Sequence, residues 1–307
     1  MKPTMYDNFN MLEERVLDSL ENTDLERISS HLKKITSPTI SVGVGGSSVV
    51  STYAAKILAA KNNIITSHEE PRTLNYKNIN GYDNVLACSY GGNNKGVQMA
   101  FENNLNKFLL SSNPALETNI TSLQYKTTLP KEDSFISLAA TLIPMSILLS
   151  YYTDLDLSII KEILKTKKEY SLNSNKVFEI LSGYDTNTAA TYLETTFSEA
   201  ALALPLIHDK YSYCHGRTTT SYHNQNSLIH LAPNTELDSV IKESSYPYYH
   251  EVIELPSAYD DPIINDFYLT YQAMFLSKDL AEKTAQDLSR VDYSPATKKL
   301  YKFKGQM

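Results

Sequence analysis

The strongest constraint on this chain is a unit that it uses repeatedly: a short apolar run that stops on glycine and serine and passes straight into a helical segment. Thr39-Ile40-Ser41-Val42-Gly43-Val44 reads as a buried strand, Gly45-Gly46-Ser47-Ser48 as the turn, and Val49 to Ala60 as a helix rich in Ala and aliphatic residues. Strand, turn and helix in this order open a βαβ unit, in which the next strand lies parallel to the first.

The same order recurs downstream. Strands are expected at Asn63-Ile64-Ile65-Thr66, at Asn84 to Ser89, at Lys107 to Ser111 and near Tyr125 to Leu129. The second of these runs into Tyr90-Gly91-Gly92-Asn93-Asn94 and a helix through Phe101, and a long apolar helix follows from about Ser134 to Tyr151. After a charged stretch, Lys176 to Gly183 opens a second cycle, with a helix over Thr188 to Leu206, strands at Ser227 to Leu231 and His250 to Leu255, and a helix over Ile263 to Gln286. Residues 6–35 ahead of the first cycle repeat apolar positions at helical spacing (Phe9, Leu12, Val16, Leu20, Leu25 and Ile28). Strands alternating with helices predict an α/β fold of two doubly wound domains, with mainly parallel sheets and helices on both faces. The divisions expected are 1–151 for an N-terminal helix and the first domain, 152–175 for a helical connector, and 176–307 for the second domain and a C-terminal tail.

A chain of 307 residues is long enough for two such domains. Its net charge is −7 with both signs mixed along the sequence, so a nucleic-acid surface is not expected. The longest apolar stretch, Phe135 to Tyr152, is broken by Ser137, Thr141, Pro144 and Ser146 and reads as a buried helix, not a membrane span. The first residues lack the apolar run of a signal peptide, and the two cysteines, Cys88 and Cys214, have neither disulfide nor metal-ligand arrangement. A cytoplasmic protein without metal or cofactor is the expectation. On a chain of this charge, an anionic ligand depends on backbone N–H groups and helix N-termini.

Ser47-Ser48 and Ser89 to Asn94 stand at the carboxyl ends of two expected strands, where open α/β sheets bind ligands. Glycine allows close backbone approach to a phosphate there; the alternative is that both are ordinary turns and helix caps. Polar groups are densest from Glu194 to His230. His208, His223 and His230 read as surface histidines. On the residues alone, Glu199 can be a helix-surface carboxylate, His215 a loop residue packed under Tyr213, and Arg290 the partner of Asp287 or Asp292.

Together these segments resemble the double sugar-isomerase (SIS) family, of the kind found in the isomerase half of glucosamine-6-phosphate synthase. Gly45-Gly46-Ser47 is similar to that family's Gly-x-Ser turn, and Ser89-Tyr90-Gly91-Gly92-Asn93-Asn94 stands where it has a Ser-x-Ser-Gly-x-Thr phosphate loop. Glu132 to Ser137 matches a Glu-x-x-x-x-Ser segment, and Glu199 with His215-Gly216-Arg217 stands where the family has its catalytic Glu and a His-Gly-Pro motif about sixteen residues later. The sequence departs from the family at Gly91 and Asn94, which replace a Ser and a Thr of the loop, and at Arg290, which stands where a ring-opening Lys is found. Arginine stays protonated and does not form a Schiff base.

The resemblance implies a metal-free sugar-phosphate isomerase, or a related lyase acting on amino sugars or glycated amines through an enediol. Glu199, His215 and Arg290 would carry the catalysis. Gly45, Gly46, Ser47, Ser48, Ser89, Gly91, Gly92, Asn93, Asn94, Glu132 and Ser137 would hold a phosphorylated sugar or amino sugar. It also implies a homodimer, with His215 reaching the site of a neighbouring subunit. The altered loop and the missing Lys leave open the alternative of a non-catalytic sugar-phosphate binding or sensing protein.

Overall fold

Among the described residues, every strand pairing is parallel. The computed structural model describes residues 3–115, 117–292 and 294–301. Three short helices come first, α1 (Met5–Asn10), α2 (Leu12–Asn22) and α3 (Leu25–Leu32), where the sequence predicted one continuous helical stretch. The breaks fall at Met11 and at Thr23–Asp24; at the second, the Asp24 side chain accepts from Arg27 N and caps α3.

The first sheet follows: β1 (Thr39–Val42), α4 (Gly46–Asn62), β2 (Thr66–Glu69), β3 (Asn84–Cys88), α5 (Lys95–Ala100), β4 (Asn106–Ser111) and β5 (Ile120–Gln124). α6 (Ala139–Tyr152) and the short α7 (Ser158–Ile163) lead to the second sheet. This contains β6 (Val177–Ser182), α8 (Asn187–Glu199), β7 (Leu204–Asp209), α9 (Lys210–Ser212), α10 (Thr218–Asn224), β8 (Ser227–Leu231), α11 (Glu236–Ser245) and β9 (Glu251–Leu255). α12 (Pro262–Lys283) and α13 (Pro295–Tyr301) complete the described elements.

Three expectations are corrected. β2 begins where the expected strand at 63–66 ends, because Asn63 takes a left-handed φ of 54° and closes α4. β5 lies at 120–124 rather than 125–129. The helix expected to run to Leu206 stops at Glu199, and Leu204–Asp209 is instead an edge strand, a position that tolerates Pro205.

The strand orders are β2-β1-β3-β4-β5 and β7-β6-β8-β9. In each, the first strand in sequence lies between the second and the third. Alternate residues of one strand therefore serve different cores. In the first sheet, Val85, Ala87 and Leu109 pack outward with Val97 and Phe101, while Leu86, Cys88 and Leu110 face inward. In the second, Leu181 and Leu228 pack outward with Tyr213 and Ile241, while Phe178, Ile180 and Ile229 face inward. The inward faces share one apolar cluster with α4, α6, α8 and α12. These four helices pack on one another, α4 on α6 and α8, and α12 on α8 and α6.

Within that layer sits a buried ion pair, Lys56 of α4 with Asp266 of α12, their side chains 2% and 0% exposed. Asp266 also accepts from Thr188 N (3.3 Å) and Ala189 N (3.1 Å) at the start of α8, which spreads its charge over a helix N-terminus. Among the described residues, no helix is long and apolar enough to cross a membrane.

Candidate functional site

In a sheet of this order, the chain leaves β1 and β3 toward opposite faces, which opens a crevice beyond their carboxyl ends. The two turns singled out from the sequence lie there. Gly45 takes a φ of +58° and Gly46 starts α4, a helix whose first turn receives no side-chain cap. The turn is closed by Ser47 N to Val44 O (3.1 Å) and Ser48 N to Gly45 O (2.8 Å).

Two side chains from distant elements close on this turn. A Cβ at Gly45 would stand 3.1 Å from Glu199 Oε1, so the carboxylate at the end of α8 lies directly against the glycine. A Cβ at Gly46 would meet Ser137 Cβ at 2.7 Å and Thr141 Oγ1 at 2.8 Å, so both positions must lack a side chain. Glu199 is exposed as a residue, yet its carboxyl tip is crowded against the Gly45 turn. That crowding, with the Glu194 carboxylate nearby, raises it to about 7. A carboxyl in this range exchanges protons readily near neutral pH.

The neighbouring helix ends are treated differently. Asn94 Oδ1 accepts from Val97 N (2.9 Å) and caps α5, and Asn94 Nδ2 donates to Ser89 Oγ (3.0 Å), which also accepts from Gly92 N (3.2 Å). Ser89, Gly92 and Asn94 thus brace one another, while Gly91 is half-buried and Asn93 exposed beside them. At α6, the buried Glu132 accepts from Leu138 N (3.1 Å), Ala139 N (2.7 Å) and Ala140 N (3.0 Å). Burial raises the Glu132 pKa, against the pull of these N–H groups and the charge of Arg15. Of the three helices that start around the crevice, α4 alone keeps its first turn free of a side-chain acceptor.

Arg290 is held beside the segment that leads into α6. Its guanidinium pairs with Asp133 Oδ2 (2.6 Å) and donates to Asp133 O (3.0 Å), so its partner is neither Asp287 nor Asp292. The backbone beside it is fastened by Phe135 N to Ser289 O (3.2 Å) and Ile136 N to Leu288 O (3.0 Å). His215 is elsewhere: it is exposed on an irregular turn, Tyr213–Arg217, where Gly216 has a φ of 105°. It makes no hydrogen bond or ion pair among the described residues.

One side chain at the site escaped the sequence reading. His68, at the carboxyl end of β2, contacts Ser48 Oγ through Nε2 (3.1 Å) and Ser51 Oγ through Nδ1 (2.8 Å), and burial lowers its pKa. A strand placed at 63–66 hides this residue, whereas one ending at Glu69 puts it beside the glycine turn. The expected surface position of His230 is also corrected. It is fully buried on β8, 2.8 Å from both Asp238 Oδ1 and Tyr246 OH, and burial with the charge of Lys210 lowers it to about 4. Among the described residues, no group of three or more His, Cys, Asp or Glu side chains is placed to hold a metal ion.

No protein-family model and no curated protein sequence matches the chain. Solved structures do. Tagatose-6-phosphate ketose/aldose isomerase from Escherichia coli superposes with a TM-score of 0.70 at 13% identity, over 94% of this chain and 96% of that one. The C-terminal domain of glucosamine-fructose-6-phosphate aminotransferase from Francisella tularensis gives 0.65 at 13% identity, over 94% and 98%. Glucosamine-6-phosphate deaminase from Thermotoga maritima gives 0.67 at 12% identity, over 91% and 98%. At these identities the likeness is one of fold, and it extends over nearly the whole of each chain.

Proposed function

We propose that this chain binds a phosphorylated sugar in the β1/β3 crevice and interconverts its aldose and ketose forms, or the corresponding amino-sugar forms, through an enediol. The observation that carries this reading is the position of the Glu199 carboxylate, set directly against the Gly45 turn beyond the carboxyl end of β1. The first turn of α4, which has no side-chain cap, faces the phosphate with its positive dipole end and the Ser47 and Ser48 hydroxyls. The braced loop of Ser89, Gly91, Gly92, Asn93 and Asn94 forms the opposite wall. Glu132 holds α6 so that Ser137 faces Gly46, and Arg290 steadies the segment that leads into α6.

In the reaction, Glu199 removes the proton from the carbon beside the carbonyl and returns it to the neighbouring carbon, while an acid–base group moves the proton between the two oxygens. His215 of a second subunit is assigned that role, which makes the working unit a homodimer. The solved structures of like fold include a ketose/aldose isomerase and an amino-sugar phosphate deaminase, two reactions that belong to this chemistry. A second reading, a sugar-phosphate binder without turnover, is favoured by the guanidinium of Arg290, fixed on Asp133 where ring opening calls for a lysine.

A thermal-shift screen against hexose, pentose and amino-sugar phosphates tests the binding reading. A ligand at a hundredfold excess over its Kd adds about 2.7 kcal/mol of stability. Gly45→Val should remove that stabilisation, because the left-handed φ strains any side chain and the new Cβ displaces Glu199. Absence of any stabilising sugar phosphate would end the proposal, and a stabilising ligand that never turns over would select the binder.

The shared site has its own test. Glu199→Gln and His215→Asn proteins, each inactive alone, should regain part of the activity when mixed and allowed to exchange subunits. A monomer by sedimentation, or two single variants that remain active, contradicts it.

A further inference from the structure

The outer face of the second sheet carries a groove of about 460 Å³ between α10 and α11, within the range of small-molecule sites. Its floor is buried: Tyr213, Ser221, Ile241 and Ser245 are 0%, 1%, 2% and 5% exposed. At its mouth stand Tyr222 and Tyr248, both exposed, with ring centroids 4.9 Å apart and planes at 73°, which makes an aromatic corner open to solvent.

Among the described residues, no charged side chain lines this groove. One lies just beneath it. Glu179 of β6 is fully buried and accepts from Ser221 Oγ (2.9 Å), Tyr249 OH (2.9 Å) and Asn226 Nδ2 (2.8 Å). Burial opposes its charge, but these hydrogen bonds and the contact of His208 prevail and lower its pKa below the ordinary value. A phosphate or carboxylate in the groove would meet this field with no cation to pair it. A cation would find the carboxylate oxygens already covered by hydroxyl and amide donors. The wall also offers the solvent-accessible hydroxyls of Thr218, Thr219 and Ser244, which an entirely apolar ligand would not use.

A neutral ring with one apolar face and several hydroxyls meets every condition. Its C–H face packs into the corner of Tyr222 and Tyr248, and its hydroxyls meet wall hydroxyls that both donate and accept. We propose that this groove binds a neutral, unphosphorylated pyranoside, at a site separate from the β1/β3 crevice.

The groove contains its own reporter. Cys214 lines it and is exposed, whereas Cys88, the other cysteine, is buried, so a thiol reagent reads this site alone. Alkylation of the full chain by iodoacetamide, followed by intact mass, should slow at least fivefold with methyl β-D-glucopyranoside, methyl α-D-mannopyranoside or maltose at millimolar concentration. Inorganic phosphate and glucose 6-phosphate should leave the rate unchanged. Tyr222→Ala and Tyr248→Ala should each abolish the protection, and so should Val240→Asp, which sets a charge on the rim without removing an aromatic ring. No protection by any pyranoside overturns the proposal. So does protection by uncharged adenosine alone, which makes the ligand a nucleoside, or a Cys214 that the fully assembled protein already leaves unreactive without ligand, which makes the groove a contact between copies.

Discussion

Replacement of Glu199 by Gln is expected to lower kcat of the proposed isomerisation roughly 100- to 10,000-fold, the usual contribution of a positioned acid–base group. Glutamine keeps the shape and fills the same space against Gly45, so the loss isolates the proton transfer from the packing. The pH dependence gives an independent readout. A base acts in its deprotonated form, and Glu199 is raised to about 7 by burial and by Glu194. Activity should therefore climb as pH rises through about 7. That limb should move toward lower pH in Glu194→Gln, where one cause of the shift is gone. A flat profile from pH 6 to 8, or an unchanged rate in the Gln variant, would remove Glu199 from the mechanism.

The largest effect on stability is expected at the buried ion pair. Lys56→Met leaves Asp266 charged, with only the N–H groups of Thr188 and Ala189 as partners, in a layer from which water is excluded. Breaking one side of such a pair costs about 3–5 kcal/mol, whereas replacing both partners by apolar residues of like volume is close to neutral or better. Urea unfolding of Lys56→Met should show the full loss, and the double variant with Asp266→Leu should recover much of it, less the cap that Asp266 gives α8. A single variant within 1 kcal/mol of the parent would show that the pair does little to hold α4 against α12.

The elements that could be read from the sequence are those for which burial leaves a one-dimensional trace. β1, β3 and β8 are buried along their whole length, so they stand out as short segments rich in Ile, Val and Leu. β2 is an edge strand with a polar Thr-Ser-His-Glu sequence, and β7 continues an Ala- and Leu-rich helix into a proline; neither leaves such a trace. The site behaved in the same way. The Gly45 turn is local and was legible, and Glu199 was reachable through its spacing to His215. Their contact, across more than 150 residues, depends on how α8 crosses α4 and is visible only in three dimensions. The same holds for Glu132, whose carboxylate is occupied by its own helix, and for His68, found beside Ser48 only once β2 is correctly placed.

The helical layer shared by the two sheets also bears on how this protein emerges from the ribosome. α4 and α6 are complete by Tyr152, but α12, which covers them, does not begin until Pro262. At about 5–20 residues per second, the apolar faces of a finished first sheet wait on the order of ten seconds for their cover. Nascent chains of intermediate length are thus natural clients for chaperones, and translational pauses after α6 should lower the yield of folded protein more than pauses after α12.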